Sequence, residues 1–150
     1  MVNLRKHLDE KDKAILSILS ENARATYSDI AKKIGLSDVA VIKRIKRLER
    51  DGVIRRYTII VDPEKLGYSI VSITGIDVEP EYLFKVISLL KEKEYVKYLA
   101  LTSGDHNIMI IIWARDSNEA NKIHNELESL PGVKRVCPAI ILDVFKEEYV

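Results

Sequence analysis

The sequence predicts an α+β chain of two unlike parts, on three observations. Residues 30–52, IAKKIGLSDVAVIKRIKRLERDG, read as two short helices joined by a tight turn. After Gly67 the apolar period switches between 2 and 3.6 in the order strand, helix, strand, strand, helix, strand. Charge divides with the pattern: residues 1–61 hold 14 Lys/Arg against 8 Asp/Glu, and residues 62–150 hold 10 against 15. The prediction is an N-terminal helix-turn-helix (winged-helix-like) domain over 1–61, a linker over 62–68, and a C-terminal ferredoxin-like βαββαβ domain over 69–150.

In chain order, Asp9 is the expected N-cap of a first helix, with Ile15, Ile18, Leu19 and Leu16 supplying its apolar stripe. Thr26 caps a second helix, with Asp29 three residues on. That helix closes at Gly35, which can take the left-handed conformation the turn needs. Ser37 caps a third helix ending at Gly52. The three share an expected core of Ile15, Leu19, Ile30, Ile34, Val41, Ile45 and Leu48. Val53 to Val61 is β-branched and aromatic, which predicts a strand in the place of a wing.

In the second half, strands are expected over 70–78, 96–102, 107–114 and 133–145, and helices over 81–93 and 116–130. Both helices of such a unit lie on one side of the sheet. Yet Ile108, Ile110 and Ile112 point one way while Met109, Ile111 and Trp113 point the other. A face that is apolar without a helix over it predicts a second copy as its cover, hence a homodimer through this half.

Composition narrows the function. No apolar run reaches 18 residues, so no membrane-spanning helix is expected. Met1–His7 has no apolar stretch after its charges and does not read as a signal peptide. Cys137 is the single cysteine, which excludes a disulfide framework or a cysteine zinc cluster. A cytoplasmic location follows as the expectation. The absence of glutamine, with abundant Ile, Lys and Glu, leans towards a thermophile.

The third helix buries Val41, Ile45 and Leu48 and carries Lys43, Arg44, Lys46, Arg47 and Arg50 over much of the rest. A basic second helix after a tight turn suits the DNA major groove, and a solvated basic face is the plainer alternative. On the DNA reading Ser37 to Arg47 makes the contacts. Asp38, Val39, Ala40 and Lys43 reach base edges, and Lys46 lies beside them. Arg47, Arg50, Arg55 and Arg56 neutralise phosphates. Arg44 either joins them or ties the helix to its neighbour.

Taken together, Leu8-Asp9…Asp12, Ile30-Ala31, Gly35-Leu36-Ser37, Arg44-Ile45, Leu48-Glu49, Gly52-Val53-Ile54, Asp62-Pro63, Leu66-Gly67, the Thr102-Ser-Gly104-Asp105 turn and Leu130-Pro131-Gly132-Val133 resemble the leucine-responsive regulatory protein and asparagine-responsive regulator family, the feast/famine transcription regulators. The composition fits a member from a thermophilic archaeon. The resemblance implies double-stranded DNA as partner, a dimer assembling further to an octamer or open array, and an amino-acid effector held between dimers. It places effector contacts at Thr102, Gly104, Asp105, His106 and Asn107, with Cys137 and Ala139 facing the same pocket from a neighbouring dimer. From the residues alone Cys137 reads as a small apolar filler. Two positions depart from the family: Asn107 stands where Asp is usual and His106 where an aromatic is usual. Asn107 can still accept from an ammonium, but without a charge. The effector is then of other chemistry, more weakly bound, or absent.

No cofactor, metal or catalytic residue is expected. His7, His106 and His124 lack partners at metal-ligand spacing, and His106 and His124 read as exposed. One alternative is an architectural protein that wraps DNA without an effector. A more remote one is an enzyme resembling the sirohaem decarboxylases of the same architecture, with His106 as its candidate; the basic third helix argues against it.

Overall fold

The computed structural model describes residues 8–147, so the reading of Met1–His7 lies outside the described residues. The chain divides into two compact units, one running to Ile60 and including Lys146 and Glu147, the other Val61–Phe145. Segment 62–68 therefore belongs to the second unit, where Glu64–Leu66 forms a 3-10 turn between Pro63 and Gly67.

The first unit holds α1 (Glu10–Glu21), α2 (Tyr27–Ile34) and α3 (Asp38–Arg50). Each starts on a side-chain cap. Asp9 accepts from the Asp12 N–H, Thr26 from Asp29 and Ser37 from Ala40. Gly35 closes α2 at φ 67°, ψ 47°, a conformation that costs an L side chain about 1–2 kcal/mol. Ile15, Ile30, Ala31, Ile34, Val41, Ile45 and Leu48 form the buried core. Leu19 packs at its edge.

The expected strand after α3 does not form. The Val53 and Ile54 N–H groups both donate to the Leu48 carbonyl, which ends the helix, and residues 55–60 are neither helix nor strand and pair with no strand among the described residues. Ile59 and Ile60 are exposed. β propensity supplies a willing backbone, but a strand also needs a neighbour for its N–H and C=O groups, and the unit offers none.

The second unit is β1 (Ile70–Val78), α4 (Leu83–Lys91), β2 (Val96–Leu101), β3 (Ile108–Ala114), α5 (Ser117–Glu128) and β4 (Val133–Ile140). The sheet order is β2-β3-β1-β4, every pair antiparallel. Most boundaries shift from expectation by one or two residues, and two of the differences have a structural form. The first turn of the predicted helix at 81 is a 3-10 turn, Pro80–Tyr82. The last strand stops at Ile140, beyond which Leu142 and Phe145 are exposed.

Ile76, Val78, Ile108, Ile110, Ile112 and Ala114 bury one sheet face against Val86 and Leu90 of α4 and Ala120, Ile123 and Leu127 of α5. Ser72 and Thr74 lie on that same face, buried and bonded to each other at 2.9 Å. The register puts Val71, Ile73, Gly75 and Asp77 on the opposite face, beside Met109, Ile111 and Trp113 of β3 and Arg135, Cys137 and Ala139 of β4. Ile73 and Tyr98 are exposed there at 39% and 57%. His124 is not the surface residue expected. Its Nε2 is buried without a hydrogen-bond partner among the described residues, and burial lowers its pKa.

Candidate nucleic-acid interface and effector turn

On α3 the inward residues Val41, Ile45 and Leu48 fix which side is presented. Val39, Lys43, Lys46 and Arg50 recur at helical spacing and are exposed, with Ser37 and Asp38 at the leading end and Ala40 half-buried. These are the positions assigned to bases and phosphates, and they share one side of the helix. Arg55 and Arg56 lie exposed on the irregular segment beyond it.

Arg44 and Arg47 occupy the other flank and point at α1. The Arg44 guanidinium donates to Asp9 at 2.7 Å and to Asp12 at 2.8 Å, and Arg47 donates to Asp12 at 2.5 Å. Arg44 is the tie to the neighbouring helix that was one of its two readings. Arg47, expected on phosphate, is held in the same tie. The hydrogen bond and charge of Arg44 lower the Asp9 pKa. Asp12 is 1% exposed and was missed as a partner. The signal was present: Asp12 stands three residues before Ile15, on the inward stripe of α1. Arg50 bonds its neighbour Asp51 and stays 68% exposed.

In the second unit the turn between β2 and β3 is braced from within. The Thr102 N–H donates to the Asn107 carbonyl at 3.0 Å, and the Thr102 hydroxyl to the His106 carbonyl at 2.6 Å. Gly104 sits at φ 138°, and Asp105 is exposed. Asn107 does not present its amide to solvent. Its Oδ1 accepts from the Val78 N–H at 3.0 Å and its Nδ2 donates to the Val78 carbonyl at 2.7 Å. The side chain imitates a backbone unit and extends the β1–β3 ladder by one step past Ile76–Ile108. The carbonyl oxygen expected to take an ammonium already accepts from the Val78 N–H, which leaves it one lone pair for such a contact.

His106, expected as an exposed turn residue, is folded over the open sheet face. Its ring covers Gly75, where an added Cβ would lie 2.2 Å from Cδ2. Its Nδ1 meets Asp77 at 2.9 Å, and the other Asp77 oxygen accepts from Arg135 Nε at 2.7 Å. The His106 hydrogen bond first, then Arg135, hold the Asp77 carboxyl below its usual range, and Asp77 in turn raises Arg135. Cys137 pairs across from Gly75, and Ala139 across from Ile73, on this same face. The structure thus gathers His106, Cys137 and Ala139 near Asp77, Arg135 and Gly75, three residues the sequence reading did not name. Gly75 had a usable signal, since a glycine inside a strand pattern marks a close approach. Asp77 and Arg135 pair at a separation of 58 residues and had none. No group of three His, Cys, Asp or Glu among the described residues is placed to hold a metal ion. No helix among them is long and apolar enough to cross a membrane.

A basic, capped recognition helix in one unit and a sheet with a polar cluster on its open face in the other suit a DNA-binding protein with a second, ligand-binding domain. Comparison with known proteins agrees. Residues 8–49 match the AsnC-type helix-turn-helix domain, and residues 71–150 match the Lrp/AsnC ligand binding domain. The chain is 54% identical over 140 residues to the HTH-type transcriptional regulator LrpA of Pyrococcus horikoshii, covering 93% of this chain and 99% of that one. The structure of E. coli AsnC superposes with a TM-score of 0.86 at 23% identity, over 96% of this chain and 98% of the other. That of the Neisseria meningitidis regulator NMB0573 in complex with L-Met does so with 0.86 at 21% identity, over 95% and 94%. At these identities the two structures show the fold alone. The chain belongs to the Lrp/AsnC family of DNA-binding transcription regulators.

Proposed function

We propose that the protein regulates transcription in the cytoplasm as a homodimer or larger assembly whose paired α3 helices enter successive major grooves of double-stranded DNA, roughly 34 Å apart. One observation carries this reading: Val39, Lys43, Lys46 and Arg50 form a single exposed stripe on a helix whose other sides are fixed by core packing and ion pairs. Ser37, Asp38, Val39, Ala40, Lys43 and Lys46 face base edges, Val39 suiting a thymine methyl and Lys43 a guanine. Arg50, Arg55 and Arg56 take phosphates. The apolar open sheet face, with Ile73, Met109, Ile111 and Trp113, supports dimerisation through the second unit. An effector at Thr102, Gly104, Asp105 and His106, with Cys137 and Ala139, completes the reading. The L-Met of the Neisseria regulator makes amino acids the first class to test. The basic stripe and the regulator names of the relatives support action by binding rather than catalysis.

Base and phosphate roles separate experimentally. Lys43→Ala weakens binding to the protein's own promoter by about 1–3 kcal/mol and leaves scrambled duplex nearly unaffected. Arg50→Ala weakens both equally and reduces the salt slope by about one. Equal losses on both duplexes for Lys43→Ala remove it from base recognition.

A further inference from the structure

The feature that DNA binding leaves unused is a carboxylate deep in the first unit. Asp12 is 1% exposed yet ends on three donors: Arg44 at 2.8 Å, Arg47 at 2.5 Å and the Asp9 N–H at 3.2 Å. Asp9 returns the bond to the Asp12 N–H at 2.8 Å and accepts from Arg44 as well. The capping box of α1 is therefore fused to the middle of the recognition helix. Two carboxylates and two guanidiniums make the network neutral.

A cap alone does not require this burial, because Thr26 and Asp29 make a similar hydrogen-bonded cap on α2 at an exposed site. A buried ion pair is also weak evidence for stability as such. What the network does is geometric. Arg44 and Arg47 are three residues apart on one flank of α3, about 4.5 Å along its axis. The core residues Val41, Ile45 and Leu48 anchor one side of α3, and the two guanidiniums anchor the flank beside it, so the ion pairs reinforce the roll that packing sets. The network also turns two of the five cations of α3 away from the stripe that carries Val39, Lys43 and Lys46.

Building on the DNA-binding reading, we propose that Asp12 is a positioning residue for recognition: it reinforces the roll of α3 and keeps Arg44 and Arg47 off phosphate. Non-specific affinity is thereby held down while the base-reading residues stay in register.

The test uses the full chain. Binding is measured from low to moderate salt on a duplex from its own promoter region and on a scrambled duplex of equal length and composition, alongside thermal unfolding. Asp12→Asn keeps the shape and removes the charge. It steepens the slope of log K against log salt by about 0.9 for each guanidinium released to a phosphate. The ratio of promoter to scrambled affinity falls roughly tenfold, the worth of one base contact. Arg47→Ala alone leaves the wild-type slope, and Asp12→Asn/Arg47→Ala moves the slope back towards it. Arg47→Ala lowering the slope by about one would put Arg47 on phosphate and overturn the proposal. So would Asp12→Asn with unchanged slope and ratio, or with losses only in proportion to unfolding. If Asp12→Asn does not fold, the Arg47→Ala slope decides alone. Wild-type protein that binds neither duplex overturns the regulator reading and this assignment together; wild type that binds while Arg47→Ala loses slope overturns only the assignment.

Discussion

Gly75→Ala reports on the polar end of the sheet more directly than any change to its charges. Gly75 is buried in mid-strand and paired with Met109 on one side and Cys137 on the other. Its backbone is not among the positive-φ glycines, so alanine fits the strand conformation there. Elsewhere in a strand the change would favour folding by roughly 0.5–1 kcal/mol. Here the new Cβ would meet His106 Cδ2 at 2.2 Å, Cγ at 2.5 Å and Nε2 at 2.7 Å. The ring must move by more than an ångström, and its bond to Asp77 cannot survive that. Overpacking of this kind costs about 1–3 kcal/mol, which exceeds the gain in backbone entropy. For a domain of this size the unfolding midpoint falls by roughly 4–8 °C per kcal/mol. His106→Ala removes the obstruction, so Gly75→Ala added to His106→Ala is neutral or slightly stabilising, with a coupling energy of about 1–3 kcal/mol. The assay is thermal and urea unfolding of the four proteins in the cycle. Additive losses would refute the argument, because they would mean the ring does not occupy the space above Gly75.

If Ile111 lies under a partner's sheet, Ile111→Asp gives monomers or aggregates in light scattering, and a soluble oligomer of wild-type size would mean that another surface holds the copies together. Asn107→Asp keeps the acceptor for the Val78 N–H but sets a carboxylate against the Val78 carbonyl; it costs about 1–3 kcal/mol in urea unfolding, and an unchanged stability would show that the amide does not brace β1. His124 has its pKa lowered by burial, so the unfolded chain takes up a proton before the folded one does. Stability is then level above the ordinary histidine pKa and declines as pH falls below about 6.5, until the folded group also titrates. His124→Phe flattens the unfolding midpoint between pH 7.5 and 5.5, and a profile that keeps its full slope in that variant assigns the decline to another group.

The helices and the succession of strands and helices along the chain were legible because local signals and the global fold agree. Asp9, Thr26 and Ser37 are caps in both readings, and the β3 pattern Ile108–Ile110–Ile112 alternates with the burial it predicts. The segment after α3 was misread because Val53 to Val61 has the composition of a strand, whereas pairing depends on a neighbour that no local pattern reveals. The site was half legible. Residues contiguous with a motif, such as Lys43 or the 102–107 turn, could be named as candidates from the sequence. Partners brought in from a distance could not: Asp12 lies 35 residues from Arg47, and Asp77 lies 29 from His106. His106 misled for a related reason. A histidine in a turn is ordinarily solvated, and only the bare backbone at Gly75 lets it fold inward. The bonds of Asn107 to the Val78 backbone, across 29 residues, likewise had no local signal.

The central claim is DNA binding through α3 under the control of a small molecule. Its most direct test is a mobility shift of the purified protein on its own promoter region at two salt concentrations, with and without a panel of amino acids. Binding that weakens steeply with salt and shifts with one amino acid is the predicted result. Salt-sensitive binding with no response to any amino acid would contradict the effector half of the claim and favour an architectural protein. A folded oligomer that binds no DNA at either salt would contradict the whole of it.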